Sequence, residues 1–126
     1  MKQVQEVTAL AQVFLEEDLT SGQEKALEIL CTRALQYWKG RLREDVREED
    51  YADALELASA WKALAEFSTL REVGGELPLS FSAGDISVSA PSREPGQMAK
   101  RLLDLAETIM ESYCTDKDFV FRGVKG

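Results

Sequence analysis

Apolar residues recur at three- and four-residue intervals in four segments of the chain, which is the spacing of an amphipathic helix. The pattern predicts helices over about 2–18, 22–42, 46–72 and 96–113. The stretch at 43–50 is charged and has no apolar stripe, so we expect two separate helices around it. Acidic residues crowd the end of the first segment and oppose the helix dipole, so that helix should stop early.

The apolar stripes of these four segments define the candidate core. In chain order they are Val4, Val7, Ala11, Phe14, Leu15, Leu27, Leu30, Cys31, Ala34, Leu35, Trp38, Leu42, Tyr51, Ala54, Leu55, Ala58, Trp61, Leu64, Ala65, Met98, Leu102, Leu105, Ala106, Ile109 and Tyr113. Both tryptophans occupy stripe positions, which indicates packing in the core. Cys31 and Cys114 have no CxxC neighbour, so we expect both to be buried free thiols.

Short motifs indicate where the helices begin and end. Ser21 followed by Glu24 matches a capping box at the start of the second helix. Asp45 with Glu48 matches a weaker cap before the third helix. A Gly-Gly pair at 74–75 is expected to end the third helix, because glycine tolerates the left-handed cap.

Between the third and fourth predicted helices the period of the pattern changes from 3.6 to 2. Apolar residues at 77, 79 and 81 and at 86, 88 and 90 alternate with polar ones, and 82–85 is a turn sequence. Pairing Phe81 with Ile86 brings all six apolar residues to one face. We therefore predict a β-hairpin over about 77–90. Its apolar face must pack on the helices or on a neighbouring protein, since a lone hairpin is marginal in water.

These elements predict a mainly α fold, a single domain over 1–126. Four helices form it, with a small β-hairpin inserted between the third and fourth helices. A tail over 115–126 follows the last helix and contains Phe119 and Phe121. That tail is too apolar for a solvated end, so we expect it either to pack back on the domain or to dock on a partner.

Composition and charge limit the classes of partner that we expect this chain to bind. The chain has 126 residues and a net charge of −8, so it repels nucleic-acid phosphate overall, and we expect no sequence-specific nucleic-acid binding. Its basic residues concentrate at Arg33, Lys39, Arg41, Arg43 and Arg47, directly before an acidic stretch. We expect solvated helix faces and ion pairs there. No apolar run is long enough to cross a membrane, and the N-terminus lacks a signal-peptide layout, so an intracellular protein is expected.

The chain contains no histidine, which excludes Ser-His-Asp and Cys-His nucleophile pairs and histidine-ligated metals. Acidic residues at Glu48, Glu49, Asp50, Asp53 and Glu56 share helix faces, and we interpret them as an exposed acidic surface. No glycine-rich phosphate loop is present. We therefore expect no catalytic residues, no metal and no cofactor, and a protein that is not an enzyme.

The order of elements and one short motif in this chain are similar to those of a known protein family. A helical stretch with the aromatic pair Tyr37-Trp38 is followed by another helix, by the extended sequence at 79–89 and by a final helix. This arrangement resembles small head–tail connector, or head-completion, proteins of tailed bacteriophages and prophages, which often carry a Gly-Asp-x-Ser-Val/Thr stretch. The matching positions are Gly84, Asp85, Ile86, Ser87 and Val88. In the family the motif tends to lie near the C-terminal end, whereas here a helix and a tail follow it, so another neck component is an open alternative.

The resemblance implies a structural role. Such proteins form rings beneath the portal that extend the DNA exit channel and give the tail a docking surface. It implies self-association into a homo-oligomer, contacts with portal and tail proteins, and a location in the bacterial cytoplasm during assembly and then in the virion neck. The expected partner interface is Phe81, Gly84, Asp85, Ile86, Val88, Phe119 and Phe121.

A second hypothesis explains size, charge and composition equally well. It is a small acidic helical adaptor or chaperone in the cytosol that binds one protein client through a groove. An acidic metal-dependent enzyme is a distant third, because its carboxylates would need to form a partly enclosed cluster.

Overall fold

The computed structural model describes residues 2–15, 18–73, 81–83, 86–88 and 97–115 of the chain. Within these ranges the helices are α1 (Lys2–Phe14), α2 (Ser21–Arg41), α3 (Glu48–Val73) and α4 (Gln97–Met110). Two short strands, β1 (Phe81–Ala83) and β2 (Ile86–Val88), lie between α3 and α4 in the sequence. The prediction of a mainly helical fold with four helices is confirmed. The prediction that α2 and α3 are separate helices is also confirmed.

The first loop corrects one predicted cap. The N-cap of α2 is Thr20, whose Oγ1 accepts a hydrogen bond from the Gln23 amide at 3.2 Å. The Gln23 side chain in turn accepts one from the Thr20 amide at 2.9 Å. The predicted box of Ser21 and Glu24 is therefore wrong by one residue. Both pairs fit the motif, and with either cap Glu24 lies in the first turn, where its carboxylate interacts favourably with the helix dipole.

The boundaries of the other helices differ from the predicted ones by a few residues. Helix α1 ends at Phe14, which confirms the expected early stop, and α4 ends at Met110 ahead of a turn at 111–113. Helix α3 begins at Glu48, two residues later than predicted. The predicted cap by Asp45 is wrong, because the residue directly before α3 is Arg47, whose carbonyl accepts from the Asp50 and Tyr51 amides, while the Asp45 carboxylate lies 3.4 Å from the Arg43 Nε.

Helix α3 is the central element of the domain, because α1, α2 and α4 all pack on it. Small residues allow this: Ala58, Ser59, Ala60 and Ala63 are all fully buried. A helix that is covered on several sides has no wide polar face. More of the surface of α3 is therefore buried than its one predicted apolar stripe indicated. Packing around α3 therefore holds the four helices in one core.

The predicted core is largely confirmed. Stripe residues that are buried are Val7, Ala11, Leu15, Leu27, Leu30, Cys31, Ala34, Leu35, Trp38, Leu55, Ala58, Trp61, Leu64, Ala65, Leu102 and Ala106. Val4, Phe14, Leu42, Tyr51, Ala54, Leu105, Ile109 and Tyr113 are half-buried at its edge. The side chain of Met98 lies outside the described part of the structure.

Strands β1 and β2 pair antiparallel, with Phe81 opposite Val88, Ser82 opposite Ser87 and Ala83 opposite Ile86. The predicted partner of Ile86, Phe81, is therefore wrong by two residues. A shift of two keeps apolar residues opposite apolar ones and serine opposite serine, so alternation cannot separate the two registers. Strand β1 lies beside α1. One hairpin over all of 77–90 stays a prediction, because 77–80, 84–85 and 89–90 lie outside the described residues.

Candidate functional site

Arg41, the last residue of α2, joins three parts of the fold. Its Nη1 donates to both carboxylate oxygens of Glu107 on α4, at 2.9 and 3.1 Å. The same nitrogen lies 3.0 Å from the Tyr37 hydroxyl oxygen, to which it also donates. Its Nη2 and Nε donate to the backbone carbonyl of Thr115 at 2.7 and 3.3 Å. One planar guanidinium therefore ties the end of α2 to α4 and to the chain that follows α4.

Backbone hydrogen bonds also connect the end of α2 to the chain that follows α4. Leu42 and Cys114 form an isolated antiparallel bridge. On either side of it the Arg43 amide donates to the Tyr113 carbonyl at 2.9 Å, and the Thr115 amide donates to the Arg41 carbonyl at 2.8 Å. Residues 113–115 thus run back along 41–43, toward the body of α2.

The Arg41 side chain is largely shielded from solvent. Its side chain is 14% exposed and that of Glu107 is 34% exposed. The guanidinium also lies 5.4 Å from the centre of the Tyr37 ring and 5.1 Å from that of Trp38. Burial alone would lower the pKa of Arg41, but the hydrogen bonds and charges of Glu107 and Tyr37 outweigh it, so its pKa lies above the usual value.

A groove lies between α2 and α4, with α3 as its floor. The Arg41–Glu107 pair and the proximity of Leu30 to Ala99 and Leu103 show that α2 and α4 run in the same direction. The groove contains an open cavity of about 290 Å³. Its lining residues are Leu30, Arg33, Ala65, Glu66, Thr69, Leu70, Ala99 and Leu103. It is therefore apolar along most of its length, with one basic residue, Arg33, on the α2 wall and one acidic residue, Glu66, on the α3 floor.

Glu66, on the α3 floor of the groove, has one buried carboxylate oxygen without a hydrogen-bond partner. Glu66 Oε2 lies 3.8 Å from the Lys62 Nζ, but its Oε1 is buried and has no hydrogen-bond partner. Lys62 itself lies 4.2 Å from the centre of the Tyr37 ring. A buried carboxylate oxygen without a donor carries a desolvation cost. A basic group that entered the groove would relieve it.

The remaining basic residues lie where the sequence predicted them. Arg33, Lys39, Arg43 and Arg47 are exposed. Lys39 donates to the Gln3 side chain at 2.6 Å, Arg43 pairs with Asp45, and Arg47 pairs with Glu49. Solvated faces are thus confirmed for this set, and ion pairs for Arg43 and Arg47. Arg41 is the exception, because tertiary packing shields it.

The acidic surface of α3 is exposed at Glu48, Glu49, Asp50 and Asp53, as predicted. Glu56 is half-buried, and burial together with Glu6 of α1 and with Asp53 raises the pKa of its carboxyl. Among the described residues, no three cysteine or acidic side chains come together in a way that would hold a metal ion.

Both cysteines are buried free thiols, as predicted. Burial raises the pKa of the Cys31 thiol to about 11. Burial also raises the pKa of the Cys114 thiol, which lies near Arg41. A nucleophilic cysteine is typically found with a lowered pKa, the opposite of the direction at both thiols.

The structure places only part of the predicted partner interface. Phe81 lies in β1, and Ile86 and Val88 lie in β2. Gly84, Asp85, Phe119 and Phe121 lie outside the described residues. The Arg41 cluster and the groove were not predicted, since Arg41 and Glu107 are far apart in the sequence and neither belongs to a local motif. The spacing of Tyr37 and Arg41 by four residues was the one local signal.

Comparison of the chain with known protein families, with characterised proteins and with solved structures finds no match. In the helices that the structure describes, none combines the length and the apolar composition needed to cross a membrane.

Proposed function

We propose that this chain is a non-enzymatic assembly protein of a tailed bacteriophage or prophage, a head–tail connector that forms a ring between portal and tail. Its action would take place in the bacterial cytoplasm during assembly and then in the virion neck. The motif at Gly84–Val88 and the order of its elements support this proposal. The chain would act by contact with copies of itself and with portal and tail proteins.

Two short paired strands, β1 and β2, which lie between α3 and α4 in the sequence, support the proposal most directly. Strands of three residues are too short to be stable alone in water, so they need other polypeptide to cover them. Strand β1 has α1 beside it. A neighbouring copy is the further cover that we propose. Rings arise when one patch on a subunit meets a different patch on the next copy.

The charge of the chain suits this role. A subunit of net charge −8 would line a channel through which DNA slides without binding, because phosphate is repelled. The tail with Phe119 and Phe121 is the second contact element that we propose.

Native mass spectrometry at rising protein concentration, with and without a cognate portal protein, tests the proposal. We expect oligomers that grow with concentration or appear on the portal, and a ring with a central hole in electron micrographs. Phe81→Asp should weaken assembly while helicity stays unchanged. Val13→Asp, at a 74% exposed position on α1, is the matched control and should assemble normally. A strict monomer that ignores the portal would contradict the proposal.

The groove favours a second candidate function, a small acidic helical adaptor that binds one protein client. An apolar cleft with Leu30, Leu70 and Leu103 along it is the shape that receives an amphipathic segment. This function predicts a small closed oligomer and a client unrelated to virions. Genes for portal, protease and capsid beside this one would favour the connector instead.

A further inference from the structure

Exposed apolar side chains concentrate around the groove between α2 and α4. Among the described residues, three large apolar side chains are more than half exposed, namely Val13, Ile29 and Leu70. Leu70 lines the groove, and Ile29 is the direct neighbour of Leu30, which also lines it. Two of the three therefore lie in or beside the groove, and covering them with another polypeptide would be favourable.

Helix α2 carries a ridge directly beside the groove. Ile29 and Arg33, which we call the α2 ridge, lie one helical turn apart on the same face of the helix, and both are exposed. The acidic residues of the preceding turns, Glu24 and Glu28, line a different cleft, between α2 and α1. The ridge is thus an apolar side chain next to a base.

The groove offers the opposite charge among apolar side chains. The Glu66 carboxylate lies 3.8 Å from the Lys62 Nζ through one oxygen, while its other oxygen has no hydrogen-bond partner. Arg33 lines the same groove, but it forms no ion pair with Glu66 or with any other described residue. A base that belongs to a second polypeptide would give the Glu66 carboxylate the donor that it lacks.

The ridge and the groove lie side by side on one helix. Ile29 and Leu30 are consecutive, so their side chains point about 100° apart around α2. A two-fold axis beside α2 therefore places the ridge of each copy against the groove of the other. A contact of this kind closes at two copies, because each surface patch meets the same patch on its partner.

We propose that the occupant of this groove is a second copy of this chain. The α2 ridge of each copy enters the groove of the other, where Ile29 packs on Leu70 and Leu103 and Arg33 pairs with Glu66. The inference goes beyond the functions proposed above and rests on neither, since it uses neither the β1–β2 pair nor the tail. A client of the adaptor function would compete with the second copy for the groove.

Sedimentation velocity of the full-length chain over a range of concentrations tests this. The measurement is made on Phe81→Asp, which removes the contact proposed for ring assembly and leaves the groove intact. We expect an equilibrium between monomer and dimer, with no larger species. A strict monomer, or oligomers that grow beyond the dimer, would overturn the inference without bearing on the ring.

One kind of substitution at the three exposed apolar positions locates the contact. Added to Phe81→Asp, Ile29→Asp and Leu70→Asp should each raise the Kd of the dimer at least about tenfold, because each puts a charge into an apolar contact. Val13→Asp is the control, since Val13 is more exposed than either and lies on α1, away from the groove. It should leave Kd unchanged, and circular dichroism should show every variant folded. Equal weakening by all three would contradict the assigned surface.

An exchange of charges tests the pairing itself. Arg33→Glu and Glu66→Arg, each alone, bring like charges together twice in a two-fold dimer, so each should raise Kd. A mixture of the two variants should form heterodimers with about the original Kd, because both contacts then join an acid to a base. If the mixture forms no more dimer than either variant alone, Arg33 does not pair with Glu66 of a second copy.

Discussion

Removal of the Arg41 side chain should destabilise the domain far more than removal of an ordinary surface arginine. Arg41→Ala takes away both hydrogen bonds to the Thr115 carbonyl, worth about 1.5 kcal/mol for a charged donor. The pair with Glu107 adds about 1 kcal/mol after discount for its partial exposure. Contacts with the Tyr37 and Trp38 rings add about 0.5 kcal/mol.

Together these contacts predict a loss of about 3 kcal/mol in the free energy of unfolding and a fall in Tm of about 10 °C. Urea unfolding followed by tryptophan fluorescence measures the first, and a thermal scan measures the second. Arg47→Ala is the control, because Arg47 and Glu49 form a pair that is 78% and 71% exposed, and it should cost less than about 0.5 kcal/mol.

A double-mutant cycle isolates the ion pair. Arg41→Ala and Glu107→Gln, made singly and together, should show a coupling of about 1 kcal/mol. If Arg41→Ala costs no more than Arg47→Ala, the guanidinium is not the tie between α2, α4 and Thr115 that its hydrogen bonds indicate.

Three further predictions test other parts of the structure. Thr20→Ala should cost about 1 kcal/mol in urea unfolding and Ser21→Ala much less, because Thr20 is the N-cap; equal losses would contradict the cap assignment. Ser59→Ala should leave stability unchanged or raise it by up to about 1 kcal/mol, since the buried Ser59 hydroxyl has no hydrogen-bond partner, and a clear loss of Tm would refute this. Burial and Glu6 raise the pKa of the Glu56 carboxyl, so the folded chain holds that proton more tightly than the unfolded chain, and stability falls as pH rises through the raised pKa. Glu56→Gln should therefore raise Tm at pH 8 and change it little at pH 4; an equal effect at both pH values would exclude this cause.

The sequence by itself determined the helical class, the number of helices and most of the core. Periodicity is a local property, and a stripe such as Leu27, Leu30 and Ala34 marks a buried face whatever packs on it. The early end of α1 was predictable for the same reason, because the carboxylates that oppose its dipole are its own neighbours.

Where two local solutions were equivalent, the sequence could not choose between them. The Thr20 and Ser21 capping boxes overlap by one residue, and two registers of the β1–β2 pair keep the same alternation. In each case both alternatives satisfied every local rule.

Only the tertiary structure decided the site. From the sequence, Arg41 was predicted to be one of several basic residues on the surface. It is shielded because the fold brings Glu107 and Thr115, which are more than 60 positions away in the sequence, into contact with it. The groove likewise exists because α2 and α4 both pack on α3 and run in the same direction, which no local pattern encodes. Contacts between distant segments depend on how helices pack, and periodicity specifies which face is buried but not which helix buries it.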